Sequence, residues 1–334
     1  MLNEITKQID KRKVILLCNL GTPTSTKTSE IRYFLRSLLS DPNMIKQSPL
    51  WRFLLKFIIL PLSTIKAKKR YSCIWSKEGS PLFVYTKNLA SKLEIELNKQ
   101  TEAETYKVLF AMNYSEPKFD EVLSKLEYNT ISSLTIVPLF PQYSLSTTGS
   151  IEASLIQTLK INSKLQTIPL NFVKSFSENR NYIDALITQI NKNLKDKKID
   201  SLLISFHSLP NSLIEKGDPY KKMCEKLFID LENNLKDTYR NIKICYQSAG
   251  KFGKWLHPTL KEKIISAINS GEKNIAIISP SFLTECSETL VDIKQDIEML
   301  FKNKGGENLI YIPCLNDEHF WIKNFAKIII NSDS

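Results

Sequence analysis

The chain has 334 residues, with 46 Lys or Arg against 35 Asp or Glu and a net charge of +11. At 42% hydrophobic and 24% charged residues it is an ordinary globular composition, long enough for two domains of roughly 150 residues each, which excludes a fibrous or disordered chain. The basic surplus suits nucleic acid, an anionic membrane or an acidic ligand, but there is no arginine-rich stripe or zinc-finger spacing. No nucleic-acid partner is expected, and a solvated lysine-rich surface explains the charge equally well.

Apolar runs and helical spacing alternate along the chain. The first ten residues carry acids and lack a signal-peptide core. Val14–Asn19 reads as a strand that turns at Gly21-Thr-Pro23, and Ser29–Leu39 as a helix. The greasiest run, Trp51 to Leu62, is broken by Arg52, Lys56 and Pro61 and is too short to span a bilayer. Phe83–Leu97 and Phe119–Leu126 read as helices, Lys107–Met112 and Leu134–Phe140 as strands. A connecting region follows near 165–180. Strands are then expected at Leu202–Phe206, Ile242–Gln247, Ile275–Ile278 and Leu309–Ile312, with helices at Tyr182–Leu194, Pro219–Lys236, Thr259–Ser270, Ser287–Lys302 and from about Asp317. Repeated βα units give parallel sheets with right-handed crossovers. The expected fold is therefore α/β, two similar halves with a site between them. The six cysteines form no CxxC pair and read as reduced thiols of a cytoplasmic protein.

Chemistry in such sheets collects just past the carboxyl ends of strands. His207 stands there, after the run Ser201-Leu-Leu-Ile-Ser-Phe206, as a proton acceptor or metal ligand near neutral pH. A second strand end leads into Pro280-Ser-Phe-Leu-Thr-Glu-Cys-Ser-Glu-Thr-Leu290, which supplies Glu285 and Glu288, with Asp292 beyond. The plainer alternatives are a structural hydrogen bond for His207 and helix-dipole complementation for the acids. His257 and His319 read as surface residues. Gly250-Lys-Phe-Gly-Lys254 lacks phosphate-loop spacing, and Asn19-Leu-Gly-Thr-Pro23 is not a dinucleotide fingerprint. Tyr143, Gln247-Ser248 and Trp255, all at strand ends, resemble the apolar walls and polar fixers of a large flat ligand.

Taken together, these segments resemble ferrochelatase, which inserts ferrous iron into a porphyrin. The matching residues are Asn19-Leu-Gly-Thr-Pro23, Leu39-Ser-Asp-Pro42, Ile74-Trp75 with Gly79-Ser-Pro-Leu82, Pro141-Gln-Tyr-Ser144 with Ser146-Thr-Thr-Gly-Ser150, Ser205-Phe-His-Ser-Leu-Pro210, Lys216-Gly-Asp-Pro-Tyr220, Tyr246-Gln-Ser248 with Trp255-Leu256, Glu288-Thr-Leu290 and Pro313-Cys-Leu-Asn316. The resemblance implies two Rossmann-like domains, residues 1–170 with a porphyrin lip and 171–314 carrying His207 and Glu288, with a porphyrin cleft between them. It also implies that the helix in 315–334 packs back on the first domain. The family's active-site histidine falls on His207 and its acid on Glu288. Leu20, Tyr114, Tyr143, Ser146 and Trp255 match porphyrin-binding positions, and Pro49–Arg70 matches the lip. The chain departs at Asn113 and Ala249, where basic residues are common in the family, and at Cys286, where animal members carry a histidine. There is no cysteine beyond Cys314, so no iron–sulfur cluster and no permanently bound cofactor are expected.

A free porphyrin must lose two inner N–H protons before iron enters. A cleft that bends the ring exposes its nitrogen lone pairs, and a base takes the protons. The resemblance assigns His207 as that base or as the metal-delivering ligand, with Glu288, Glu285 and Asp292 as proton or metal relay. Imidazole and carboxylate suit Fe²⁺ without excluding Zn²⁺ or Co²⁺. The expected reaction is insertion of Fe²⁺ into protoporphyrin IX, the last step of haem biosynthesis. The alternatives are a coproporphyrin ferrochelatase, a related cobalt chelatase, or a non-enzymatic tetrapyrrole carrier. An apolar element followed by Lys66, Lys68, Lys69 and Arg70 also suits peripheral contact with an anionic membrane; the alternative is a core helix with a solvated basic end.

Overall fold

The computed structural model describes residues 11–42, 48–101, 104–250 and 253–332. The signal-peptide reading of the first ten residues, and Lys251 and Phe252 of the rejected phosphate loop, lie outside the described residues.

Among the described residues, eight strands form two parallel four-stranded sheets. The first holds β1 (Arg12–Asn19), β2 (Tyr106–Met112), β3 (Ile131–Pro138) and β4 (Leu170–Phe172) in the order β2-β1-β3-β4. The second holds β5 (Ser201–His207), β6 (Ile242–Gln247), β7 (Asn274–Ile278) and β8 (Asn308–Tyr311) in the order β6-β5-β7-β8. The second sheet repeats the permutation of the first, so β1 and β5 are equivalent strands at equivalent switch points. Asn19 and His207 close those two strands. This is the expected two-part α/β fold. Strand β4 was not expected: its three residues lie in a segment with no alternation to read, and it pairs only through Leu170–Phe172 against Leu134–Ile136.

Helices of the first half are α1 (Thr28–Leu39), α2 (Pro49–Leu54), α3 (Leu60–Ile74), α4 (Pro81–Gln100), α5 (Phe119–Ser124) and α6 (Thr148–Ile161). Those of the second are α7 (Arg180–Leu194), α8 (Asn211–Glu215), α9 (Tyr220–Leu235), α10 (Leu260–Asn269), α11 (Ser287–Leu290), α12 (Glu298–Asn303) and α13 (His319–Ser332). A π-helical stretch, Leu55–Ile59, joins α2 to α3, and another, Asp292–Ile297, joins α11 to α12. The single helix expected over Ser287–Lys302 is thus interrupted by a wider turn, a device common at functional sites. Local signals set the starts: Pro81 follows Ser80, whose hydroxyl accepts the Phe83 N–H at 3.3 Å, and Thr259 and Glu262 form a reciprocal capping box before α10.

Strands covered on both faces read as unbroken apolar runs, and β1 and β5 are buried almost throughout. One core cluster runs through both halves, from Ile15, Leu17, Leu89 and Leu93 to Leu202, Ile204, Phe206 and Ile278. Each fully buried Leu or Ile contributes about 1.5–3 kcal/mol. Helix α13 packs against both α4 and α7, with Trp321 stacked on Phe325 at 4.7 Å between ring centroids. Lys92 on α4 meets Asp317 just before α13 at 2.5 Å. Separate clusters fill the outer faces, Leu16, Ile136 and Ile151 under α5 and α6, and Leu203, Ile277 and Phe301 under α10 and α12. Five of the six cysteines are buried and all are free.

Candidate active site

His207 is the last residue of β5, paired in register with Gln247 at the end of β6. Its ring lies edge-on to Phe282, 5.9 Å between centroids. Its Nδ1 is buried and has no hydrogen-bond partner among the described residues, whereas the plainer alternative expects a structural hydrogen bond. Burial pushes its pKa below the ordinary imidazole value, while the charges of Glu288 and Asp292 pull it back up. The net shift is downward, which favours the neutral imidazole in the field of two carboxylates.

Those carboxylates come from α11 and the π turn behind it. Glu288 accepts the Ser287 hydroxyl at 2.9 Å. Its backbone carbonyl accepts Gln247 Nε2 at 3.2 Å, and Gln247 Oε1 accepts the Ser279 hydroxyl at 2.9 Å. The end of β6 is thereby tied to β7 and α11 beside His207. Asp292 accepts the Ser248 hydroxyl at 2.7 Å and pairs with Arg70 of α3. Glu285 has a different setting. It is buried and accepts the Tyr311 hydroxyl at 2.9 Å and the Cys314 N–H at 3.0 Å, with the Thr289 hydroxyl as a third donor. Burial still raises its pKa against these hydrogen bonds. They bolt the loop after β7 to the end of β8, and His207 is not among their partners.

The residues expected to touch porphyrin fall into two groups. At the ends of β1 and β2, the Leu20 carbonyl accepts the Tyr114 N–H at 2.9 Å. Leu20 and Tyr114 are both half-buried, and the Tyr114 phenol is held by Asp41. Gly21 is needed here: its φ is +116°, and a Cβ would lie 2.5 Å from Ser115 Oγ, the atom that accepts the Thr22 N–H at 3.0 Å. Asn113, one of the departures from the family pattern, accepts the Ser154 hydroxyl at 2.7 Å. Trp255 lies against Gly250, where a Cβ would come within 2.3 Å of the indole.

Tyr143 is half-buried, with its hydroxyl 3.3 Å from Glu152. Ser146 is buried, its hydroxyl 3.0 Å from Ser144. Ser144 and the Leu145 N–H both reach Asp218 Oδ2 at 2.8 Å, while Asp218 Oδ1 accepts the Tyr220 N–H. Asp218 thus clips the loop after β3 to the start of α9 and joins the two halves. Ser146 serves that clip. Sequence reading also passed over Tyr71 of α3 and gave its neighbour Arg70 only to the basic lip. Burial and the charge of Glu288 push the Tyr71 phenol up, which places it beside the acid.

Among the described residues no group of three or more His, Cys, Asp and Glu is arranged to hold a metal ion. Surface hollows of about 610 and 410 Å³ lie elsewhere, beside Tyr128 and Lys164 and beside Tyr33 and Glu116.

A sequence model of the family described as Ferrochelatase matches residues 12–333. The chain belongs to the ferrochelatase family. It is 34% identical over 326 residues to the ferrochelatase of Francisella tularensis subsp. novicida, covering 95% of each chain. It is 35% identical over 322 residues to that of Herminiimonas arsenicoxydans, covering 95% of this chain and 86% of the relative. Among solved structures, SirB from Bacillus subtilis with Fe³⁺ superposes with a TM-score of 0.55 at 10% identity, over 96% of this chain and 95% of SirB. DR2241 from Deinococcus radiodurans, described as similar to chelatases, gives 0.55 at 10% identity over 95% of this chain and 54% of that protein. At such identity these two show the shared fold alone. The family makes the chain a metal chelatase, a lyase of haem biosynthesis that inserts metal into a porphyrin.

Proposed function

We propose that the chain inserts Fe²⁺ into protoporphyrin IX, releasing two protons and forming protohaem with iron still in the ferrous state. The carrying observation is His207: an imidazole at a strand end, its pKa lowered by burial, with a buried Nδ1 unpartnered among the described residues and the charges of Glu288 and Asp292 acting on it. Burial favours the unprotonated ring, so it can accept a pyrrole N–H proton as the metal enters. The carboxylate charges stabilise the imidazolium once formed and offer a path for the proton to leave. Glu288 also suits a hydrated Fe²⁺, a cation that accepts carboxylate oxygen and imidazole nitrogen. Leu20, Tyr114, Tyr143 and Trp255 supply apolar surface for the macrocycle. Ser146 and Glu285 brace the loops behind it. No resident cofactor enters the scheme; iron is substrate.

The lip from Pro49 to Arg70 supports peripheral contact with an anionic membrane. Among the described residues no helix is long and apolar enough to cross one.

The decisive assay supplies anaerobic Fe²⁺ with protoporphyrin IX or coproporphyrin and follows absorbance of the metallated product. Turnover of coproporphyrin alone would move the chain to that branch. Turnover with Co²⁺ but not Fe²⁺ would make it a cobalt chelatase, and tight porphyrin binding without turnover would make it a carrier.

A further inference from the structure

Arg70 was read from sequence as the last cation of a surface stretch. The structure places it elsewhere. It is half-buried near the end of α3, with one guanidinium nitrogen on Asp292 Oδ1 and another donating to the Ser287 carbonyl at 3.0 Å. It therefore reaches from the first half of the chain onto both α11 and the π turn. Its side chain retains 18% of its accessible surface and that of Asp292 23%, so solvent screens the pair only in part.

The consequence lies in which carboxylate oxygens remain available. Asp292 Oδ1 is held by Arg70 and Oδ2 by the Ser248 hydroxyl at 2.7 Å. Ser248 makes that bond from a backbone φ of +60°, a left-handed conformation uncommon for serine. Both oxygens of Asp292 are thus already engaged by protein partners. Glu288 has the Ser287 hydroxyl on Oε2 at 2.9 Å and the Cys286 thiol as a further partner, and no salt bridge among the described residues. Arg70 also stands in the field of three acids, Asp292, Glu288 and Asp296. Without it these would present three negative charges, with Glu288 and Asp292 four residues apart. Divalent cations bind more tightly as carboxylate ligands and negative charge accumulate, and a metal that must leave for the porphyrin gains nothing from being held.

We propose that Arg70 is a positioning residue that sets how tightly the incoming divalent cation is held: it occupies Asp292, so that the cation meets Glu288 as a single carboxylate without a salt-bridge partner. This rests on the reading of Glu288 as the metal's first contact. The geometry is that of a built-in competitor, a fixed guanidinium in place of a second metal.

The test is Co²⁺ and Mn²⁺ affinity by calorimetry, without porphyrin, beside steady-state kinetics with Fe²⁺. Arg70→Met frees Asp292, so the Kd for Co²⁺ should fall about tenfold, the KM for Fe²⁺ should fall with it, and kcat should also fall because release to the ring is slowed. Arg70→Lys, which keeps the charge, should stay close to wild type. The added Asp292→Asn should cancel the gain in the double variant. Arg70→Gln, which can still donate to the Ser287 carbonyl, carries the same test if Arg70→Met does not fold. Unchanged Kd and KM in the neutral variants, or a gain that survives Asp292→Asn, would overturn the proposal. Glu288→Gln separates the two readings. If it leaves the wild-type Kd unchanged, the reading of Glu288 fails; if it weakens binding while the neutral Arg70 variants do nothing, only the role of Arg70 fails.

Discussion

Gln247 lies beside His207 in the sheet and donates to the backbone carbonyl of Glu288 at 3.2 Å. One side chain therefore fixes the spacing between the strand end that carries the base and the turn that carries the acid. Its other end accepts the Ser279 hydroxyl at 2.9 Å. Gln247→Leu keeps the volume and removes both contacts, leaving the Ser279 hydroxyl and the Glu288 carbonyl without these partners. A loss of about 1–3 kcal/mol is expected, read as a lower urea midpoint. A drop of about tenfold in kcat should accompany it, since small misplacements of a catalytic group are costly. An unchanged kcat in a folded variant would mean that Glu288 is held by other contacts.

His207→Ala should lower metal insertion by about 10²–10⁴-fold with the near-ultraviolet circular dichroism unchanged, since the residue packs only at the edge of the core. Glu288→Gln keeps shape but removes charge and proton capacity. It should lower turnover strongly while porphyrin affinity, followed by fluorescence quenching, stays near wild type. A folded His207→Ala protein with near-normal turnover would end the assignment.

The pH dependence has a definite sign. Burial is the larger effect on His207 and lowers its pKa; Glu288 and Asp292 raise it less. The protonated ring cannot accept a pyrrole proton, so kcat/KM should be lost as pH falls through a value below the ordinary imidazole range. Glu288→Gln removes a charge that raises the pKa, and any residual activity should show its acid limb displaced to lower pH. An acid limb above the ordinary imidazole value in the wild-type profile contradicts this reading.

Purified protein should show no iron–sulfur absorption and should fold without added metal. Anaerobic preparation followed by visible spectroscopy and a labile-sulfide assay checks this, and stoichiometric sulfide would overturn it. The buried thiols Cys18, Cys224, Cys245, Cys286 and Cys314 are raised in pKa by burial, which opposes thiolate formation.

What the sequence made legible follows from where its signal is local. The unbroken apolar runs of β1, β3, β5 and β7 can only be strands buried on both faces, and the residue closing β5 is placed by the strand itself. That singled out His207, and the end of β7 singled out Glu288. Strand β4 is too short for a period, and its pairing is decided by β3. Arg70 looked like its lysine neighbours, because its partner Asp292 lies more than two hundred residues away. Ser146 and Glu285 were placed at the site by their segments. Their side chains instead meet Ser144 and Tyr311, and only the folded chain shows this.

The lip offers the last prediction. Sequence left two readings for Trp51 to Arg70, a core helix with a solvated end or a shallow membrane contact. The structure exposes its large apolar residues, Leu50 at 67%, Phe53 at 58%, Phe57 at 58%, Ile58 at 48%, Leu62 at 64% and Ile65 at 70%. Leu55, Leu60 and Thr64 are buried on the other side. So broad an apolar face on a surface helix calls for a covering surface, and porphyrins themselves partition into membranes. Lys66, Lys68 and Lys69 are exposed beside it, while Arg70 is engaged with Asp292 and drops out of the basic stretch. Vesicles with anionic lipid should therefore sediment the protein at low salt, and added salt should release it as the three lysines are screened. Phe57→Ser with Ile58→Ser should weaken binding without lowering stability, because both side chains lie in solvent. Arg70→Met should bind vesicles as wild type does. If anionic vesicles fail to retain the wild-type protein at low salt, the apolar face serves only to cover the porphyrin at the mouth of the site.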